Sequence, residues 1–289
     1  MSSPLLTARQ LAGRLSDPDL AVIDCRFDLL RPEWGAQSYA AARIPGARYA
    51  HLDRDLSGPL TATTGRHPLP DPTALSVRLG RLGIGARSLV VAYDQGPGAY
   101  AARLWWLLRW LGHPRVLVLD GGLAAWQEEQ LPLEQGPPAA QAAAPEPALE
   151  PRADRSLLIS TEELAQALAQ GLITRGEWVL VDARGADRFA GHNETLDTVA
   201  GHVPGARNHP FTQNLAAGGR FLDRGTLRER FASILAGAPP DAVVAMCGSG
   251  VTACHNLLAM AVAGLEGARL YAGSWSEWIR DPARPVARD

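Results

Sequence analysis

The stretch Asp241-Ala-Val-Val-Ala-Met-Cys247-Gly-Ser-Gly-Val-Thr-Ala253 decides how this chain is read. An apolar, β-branched run leads directly into a cysteine, and glycines follow at 248 and 250. Residues 242–246 have the length and composition of a buried strand. Gly248 and Gly250 make positive φ available, so the backbone can fold closely around the sulfur. From Thr252 the sequence Thr-Ala-Cys-His-Asn-Leu-Leu-Ala-Met-Ala-Val reads as a helix. Loop N–H groups and the helix N-terminus then face the sulfur, and both favour negative charge there. A cysteine in that setting is expected to be a thiolate nucleophile rather than an inert packing residue.

The same pattern occurs earlier in the chain with the cysteine missing. Val90-Val-Ala-Tyr-Asp94 parallels Val243-Val-Ala-Met-Cys247, and Val22-Ile-Asp24-Cys-Arg26 parallels Leu180-Val-Asp182-Ala-Arg184. Arg43-Ile-Pro-Gly-Ala-Arg48 parallels His202-Val-Pro-Gly-Ala-Arg207, and Gly121-Gly-Leu-Ala-Ala-Trp126 parallels Gly273-Ser-Trp-Ser-Glu-Trp278. Order is kept and the offset stays between about 152 and 159 residues, which marks an internal duplication. Within each half, short apolar runs alternate with amphipathic stretches, the pattern of a mainly parallel sheet flanked by helices in an α/β fold.

Strands are expected at 20–24, 89–93 and 116–119, with counterparts at 178–181, 242–246 and 269–271. Helices are expected at 99–111 and 226–235. Sites in such sheets lie at strand C-termini, which is where Cys247 falls. The halves are taken as 1–136 and 156–289. Between them, 137–155 belongs to a Pro- and Ala-rich stretch without periodicity, either a tether or an irregular strap.

Composition narrows the function. The 28 basic residues are all arginine, so no lysine is available for Schiff-base chemistry. Against 30 acidic residues they leave a net charge of −2, with no global attraction for nucleic acid or an anionic membrane. No apolar run approaches the roughly 18 residues of a membrane span. The N-terminus runs into an amphipathic helix rather than a secretory signal. Cys25, Cys247 and Cys254 are too few and too irregular for a disulfide framework, and with the seven histidines they show no zinc-type spacing. A cytoplasmic protein without a metal is the expectation.

The string Cys247-Gly-Ser-Gly-Val-Thr-Ala253 closely resembles the active-site loop of the two-domain rhodanese and 3-mercaptopyruvate sulfurtransferase family. The resemblance implies two tandem rhodanese-like domains and a sulfurtransferase that needs no cofactor, only a persulfide on Cys247. Its partners would be a small-molecule sulfur donor and, as acceptor, cyanide, a small thiol or a thioredoxin-like protein. Thiosulfate-preferring members carry a basic pair after the cysteine. Gly248-Ser249 looks like the mercaptopyruvate branch, with thiosulfate as the alternative donor. Asp94 occupies the nucleophile's place in the first half, and Asp cannot carry sulfane sulfur, so that half is expected to lack catalysis of its own.

Residue by residue, Asp182-Ala-Arg184-Gly-Ala-Asp-Arg188-Phe189 resembles the family's arginine-bearing segment. That implies Arg184 and Arg188 in substrate binding, alongside Gly248, Gly250, Val251 and Thr252 of the loop. Mercaptopyruvate enzymes commonly place another arginine several residues beyond that Phe; here the stretch carries Glu194 and Asp197 instead. The resemblance further suggests a serine, histidine and aspartate arrangement from Ser249, His67 and Asp53. Tyr100 stands near the family's aromatic donor-binding position but shifted by one residue, and is left unassigned. Trp105, Trp106, Trp110, Trp126 and Trp278 read as core.

Two other classes fit the sequence less well. Cysteine phosphatases share such a loop but need an arginine six residues after the cysteine, where this chain has Ala253. A non-catalytic interaction module fits the first half, but an intact Cys247 loop argues against it for the whole chain.

Overall fold

The computed structural model describes residues 3–137 and 147–289; residues 138–146 of the Pro- and Ala-rich stretch between the halves lie outside them. Each half is a five-stranded parallel sheet. The first contains β1 (Leu5–Leu6), β2 (Leu20–Asp24), β3 (Arg48–Tyr49), β4 (Leu89–Tyr93) and β5 (Val116–Leu119) in the order β1-β5-β4-β2-β3. The second contains β6 (Leu158–Ile159), β7 (Val179–Asp182), β8 (Arg207–Asn208), β9 (Val243–Met246) and β10 (Arg269–Tyr271) in the order β6-β10-β9-β7-β8. The duplication seen in sequence therefore extends to topology.

One helix follows every strand. In the first half these are α1 (Ala8–Ala12), α2 (Trp34–Ala41), α3 (Pro72–Arg81), α4 (Ala99–Trp110) and α5 (Gly122–Glu128). In the second they are α6 (Thr161–Ala169), α7 (Ala186–Ala190), α8 (Arg224–Leu235), α9 (Thr252–Ala263) and α10 (Ser274–Trp278). Local chemistry sets their starts: Thr7 with Gln10 and Ser160 with Glu163 form capping boxes at the equivalent helices α1 and α6. The central strands β4 and β9 are buried along their whole length, as helices on both sheet faces require.

The longer expected strands and helices are present, with ends moved by one or two residues. Trp178 falls outside β7 and Asp182 falls within it. α8 starts at Arg224 because Asp223 accepts hydrogen bonds from the N–H groups of Gly225 and Thr226. The edge strands β1, β3, β6 and β8 escaped the sequence reading, since two residues carry no periodicity. They exist through their pairing with β5, β2, β10 and β7.

The halves join through α4 and α9, the equivalent helices that follow β4 and β9. Both are buried almost all round, as a helix must be when its second face meets another domain rather than water. One hydrophobic core consequently runs through both sheets, from Ile23 and Val90 through Leu104 to Leu258 and Val243. The described end of the inter-domain stretch is a strap: Leu149 is buried against the first half, and the N–H groups of Arg152 and Asp154 donate to the carbonyls of Leu111 and Trp110.

A buried histidine fastens this interface. His255 Nε2 lies 2.8 Å from the Pro97 carbonyl of the other half, while Nδ1 lies 3.1 Å from Asn214 Nδ2. Phe221 stacks on the ring at 4.5 Å and Phe211 meets its edge. These partners fit a neutral ring that donates from Nε2 and accepts at Nδ1. Burial pushes its pKa down to about 4. The unfolded chain therefore binds a proton that the folded protein refuses between about pH 6.5 and pH 4, so this contribution is intact above that window and lost as pH falls through it. His255→Gln is expected to remove on the order of 3 kcal/mol of acid destabilisation, read as a shallower fall of the urea midpoint between pH 7 and pH 4. Identical pH slopes in the two proteins would show that His255 is not the responsible group.

Candidate active site

Cys247 is the first residue beyond β9, and only 2% of it is exposed. Its N–H donates to Ser274 Oγ at 3.1 Å, and the Gly250 N–H donates to its Sγ at 3.1 Å. The two glycines serve different ends. Gly250 has φ +77°, and a methyl group there would come within 2.4 Å of the Ala272 carbonyl oxygen. Gly248 does not have positive φ, contrary to the sequence expectation. It is needed for space, because a methyl group would sit 2.8 Å from Arg66 Nη2 and 3.6 Å from Arg188 Nη2.

Above the sulfur lies a cavity of about 330 Å³ between the two halves. The second half contributes Cys247, Gly248, Ser249, Val251, Thr252 and Arg188, and the first contributes His67, Arg66, Gln95, Pro97 and Tyr100. α4 and α9 both begin at this cavity, so the helix pair that joins the halves also shapes it. A larger cavity of about 660 Å³, lined by Arg109, Asp120, Arg224 and Glu266, contains neither cysteine nor histidine.

Ser249, His67 and Asp53 come together across the domain boundary. Ser249 Oγ is 2.7 Å from His67 Nδ1, and His67 Nε2 is 3.2 Å from Asp53 Oδ1. Burial lowers the pKa of His67 against the opposing pull of Asp53, while the hydrogen bond from His67 lowers that of Asp53. The resulting state is a carboxylate accepting from Nε2–H and a neutral ring whose Nδ1 accepts the serine proton. That ring is set to act as a base.

The two candidate arginines part company. Arg184 is buried and spent on Asp182, with Nη2 at 2.7 Å and Nε at 3.0 and 3.1 Å from the carboxylate oxygens. It also donates to the Gly201 carbonyl at 2.8 Å and lies over the Trp275 ring. Arg26 repeats this arrangement in the first half, donating to Asp24 and to the Ala42 carbonyl. The paired Asp-x-Arg motifs thus tie each sheet to the loop ahead of its Pro-Gly-Ala turn; Arg184 lines the cavity and lies 3.5 Å from Glu194, but its hydrogen bonds are taken up within the protein. Arg188 does stand over the Cys247 loop. Glu194 holds it at 2.8–3.1 Å and Asp197 at 3.1 Å.

Asp94 stands where the second half has Cys247. Its buried carboxylate fills its own loop, accepting from the N–H groups of Gly96, Gly98, Tyr100 and Ala101 at 2.9–3.4 Å. The anion that the second half would carry on sulfur is built here into the chain. It fixes the start of α4, and with it Pro97 and Tyr100 in the cavity wall. Tyr100 packs edge-on against Phe27.

Sequence reasoning overlooked Arg103. This fully buried side chain of α4 crosses the boundary to the Gly250 carbonyl (3.2 Å) and also donates to the His67 carbonyl (3.1 Å), tying the histidine to the cysteine loop. Among the described residues no carboxylate forms an ion pair with it. A second arginine in a Trp- and Leu-rich helix whose other charge, Arg109, takes the exposed position was the available signal. Cys254 is fully buried, donates to the Gly250 carbonyl, and has its pKa pushed up by burial to about 12. Cys25 is likewise raised by burial, and His192 is exposed.

A cysteine at a strand end, a hydroxyl–imidazole–carboxylate arrangement beside it and a duplicated parallel α/β fold are what the two-domain rhodanese type leads one to expect. Comparison with known proteins agrees. The rhodanese-like domain family matches residues 7–129 and 160–281. A Pseudomonas aeruginosa protein named a probable 3-mercaptopyruvate sulfurtransferase is 53% identical over 99% of this chain and 98% of its own. A Mycobacterium tuberculosis protein named a putative thiosulfate sulfurtransferase is 38% identical over 98% of this chain and 96% of its own. The crystal structure of SseA from Escherichia coli, described with the 3-mercaptopyruvate sulfotransferases, superimposes with a TM-score of 0.80 at 31% identity, covering 96% of this chain and 100% of its own. The chain belongs to the two-domain rhodanese and 3-mercaptopyruvate sulfurtransferase family, and it is a sulfurtransferase.

Proposed function

We propose that this sulfurtransferase takes sulfur from 3-mercaptopyruvate through a Cys247 persulfide and passes it to cyanide, a small thiol or a thioredoxin-like protein. The observation that carries the donor assignment is the Ser249–His67–Asp53 relay next to Cys247. A relay is needed only when a proton must move. Mercaptopyruvate has such a proton, because breaking its carbon–sulfur bond leaves an enolate; thiosulfate releases sulfite and has none to move.

The steps balance within the site. His67 Nδ1, through Ser249, takes the thiol proton of the donor. The Cys247 thiolate attacks the donor sulfur, a sulfur–sulfur bond forms, and the carbon–sulfur electron pair goes to the enolate. The same proton returns through Ser249 to the carbon, giving pyruvate and a Cys247 persulfide. An acceptor then attacks the outer sulfur, and the Cys247 thiolate leaves, ready for another cycle. No resident cofactor enters. The three cysteines are free and buried, which suits a reducing cytoplasm.

Gly248 and Ser249 supply no side-chain charge for a small dianion, which also favours the carboxylate donor. Side-by-side kinetics are expected to give mercaptopyruvate a kcat/KM at least about tenfold above that for thiosulfate, the scale of one charge-assisted contact. A higher kcat/KM for thiosulfate would reassign the protein to the thiosulfate branch.

A further inference from the structure

We infer that Arg66, carried by the first domain, is the second cation of the donor site and closes with Arg188 on the donor's carboxylate. The inference rests on the reading of the donor as an anionic mercapto acid. It starts from a gap, since residues 190–201, beyond Phe189, contain no arginine. The structure fills that gap from the other half of the chain. The guanidiniums of Arg66 and Arg188 both approach Gly248, beside the nucleophile, where a side chain would collide with Arg66. Both line the cavity, and Arg66 is about a quarter exposed.

Arg66 is placed by contacts to the catalytic half rather than by its own. Its N–H donates to Ser276 Oγ at 3.0 Å, and the preceding Gly65 N–H donates to Glu277 Oε2 at 3.3 Å. The next residue is His67. A single segment, pinned to α10, therefore delivers both the relay base and a cation to the cavity.

Asp197 reveals what the pair of arginines is shaped to hold. One of its carboxylate oxygens pairs with Arg66 Nη1, and the other lies 3.1 Å from Arg188 Nη2. A single carboxylate thus bridges two guanidiniums over the Cys247 loop, the geometry that bidentate recognition of a donor carboxylate requires. Glu194 holds Arg188 and also reaches Arg184, while Asp197 spans Arg66 and Arg188, so the arginines are already neutralised and a donor must exchange with one of the carboxylates. Asp197 is the one prepared to yield. Burial raises its pKa despite both arginines, whereas the opposing effect of burial on Glu194 is outweighed by Arg188 and two N–H donors. Exchanging Asp197 for the donor leaves the charge balance of the clamp unchanged.

The test uses the full-length chain with Arg66→Ala, Arg66→Lys and Arg188→Ala. For each, KM and kcat with mercaptopyruvate are measured together with the inhibition constant of pyruvate, a carboxylate probe that undergoes no turnover. Arg66→Ala is expected to raise both KM and the pyruvate constant by about tenfold or more, with kcat moving by less than about threefold. Lysine should recover part of the loss, and Arg188→Ala should resemble Arg66→Ala. An unchanged pyruvate constant in Arg66→Ala overturns the inference, and a fall in kcat alone would reduce Arg66 to a support for His67. Preference of the wild type for thiosulfate overturns the donor reading while the pyruvate constants still decide the clamp. Failure of pyruvate to inhibit the wild type overturns the clamp.

Discussion

Replacing Cys247 by serine is expected to abolish thiocyanate formation, with activity falling by at least about a thousandfold from either donor. The substitution is nearly isosteric and the Gly250 N–H retains an acceptor, so the melting temperature should stay close to that of the wild type. No second thiol can take over. Cys254 lies fully buried on α9 with its thiol held protonated, and Cys25 lies buried after β2 beneath the first half's own loop. Intact-mass measurement after donor treatment should find one added sulfur on the wild type, located by peptide mapping at Cys247, and none on the variant. Turnover that persists in the variant, or sulfur found on Cys254, would mean that the carrier has been misassigned.

His67→Ala should separate the two donors. Loss of a general acid–base group costs roughly 10²- to 10⁴-fold, and with mercaptopyruvate that loss should appear mainly in kcat, because the relay handles the proton that the enolate needs. With thiosulfate the loss should be smaller by at least about tenfold, since sulfite departs without protonation. The wild-type mercaptopyruvate rate should also decline toward acid, as protonation of His67 removes the acceptor at Nδ1; burial places that decline below the ordinary imidazole range. Equal losses with both donors would point to damage at the cleft, where His67 also anchors Arg103 through its carbonyl. Unchanged kinetics with both would remove His67 from the mechanism.

The sequence already contained the duplication, the parallel α/β architecture, the position of the candidate nucleophile and its replacement by Asp94 in the first half's loop. Each is a property of short, contiguous strings: an apolar strand ending in Cys247, the same strand ending in Asp94, paired Asp-x-Arg and Pro-Gly-Ala motifs. Local periodicity and loop chemistry act over such distances, so one-dimensional reading recovers them. The relay was partly legible, because Ser249, His67 and Asp53 were each proposed from family likeness. The 3.2 Å His67–Asp53 contact closes within the first half, but the 2.7 Å Ser249–His67 contact needed segments 182 residues apart to meet.

The charge assignments were decided only by the tertiary structure. Arg184 and Arg188 look equivalent as neighbours on one segment and both line the cavity, yet Arg184 is fully buried and consumed by Asp182 while Arg188 is a fifth exposed and stands over the Cys247 loop. Glu194 and Asp197, which in sequence seemed to spoil the donor site, hold its arginines in place. Arg66 and Arg103 enter the site from the first domain through the packing of α4 on α9 and of the 65–67 segment on α10. Sequence located the candidate sulfur carrier, because strand, loop and helix start are local. Only tertiary structure determined which cations are free to meet a donor, because a charge is neutralised by whatever folding brings beside it, whatever the distance along the chain.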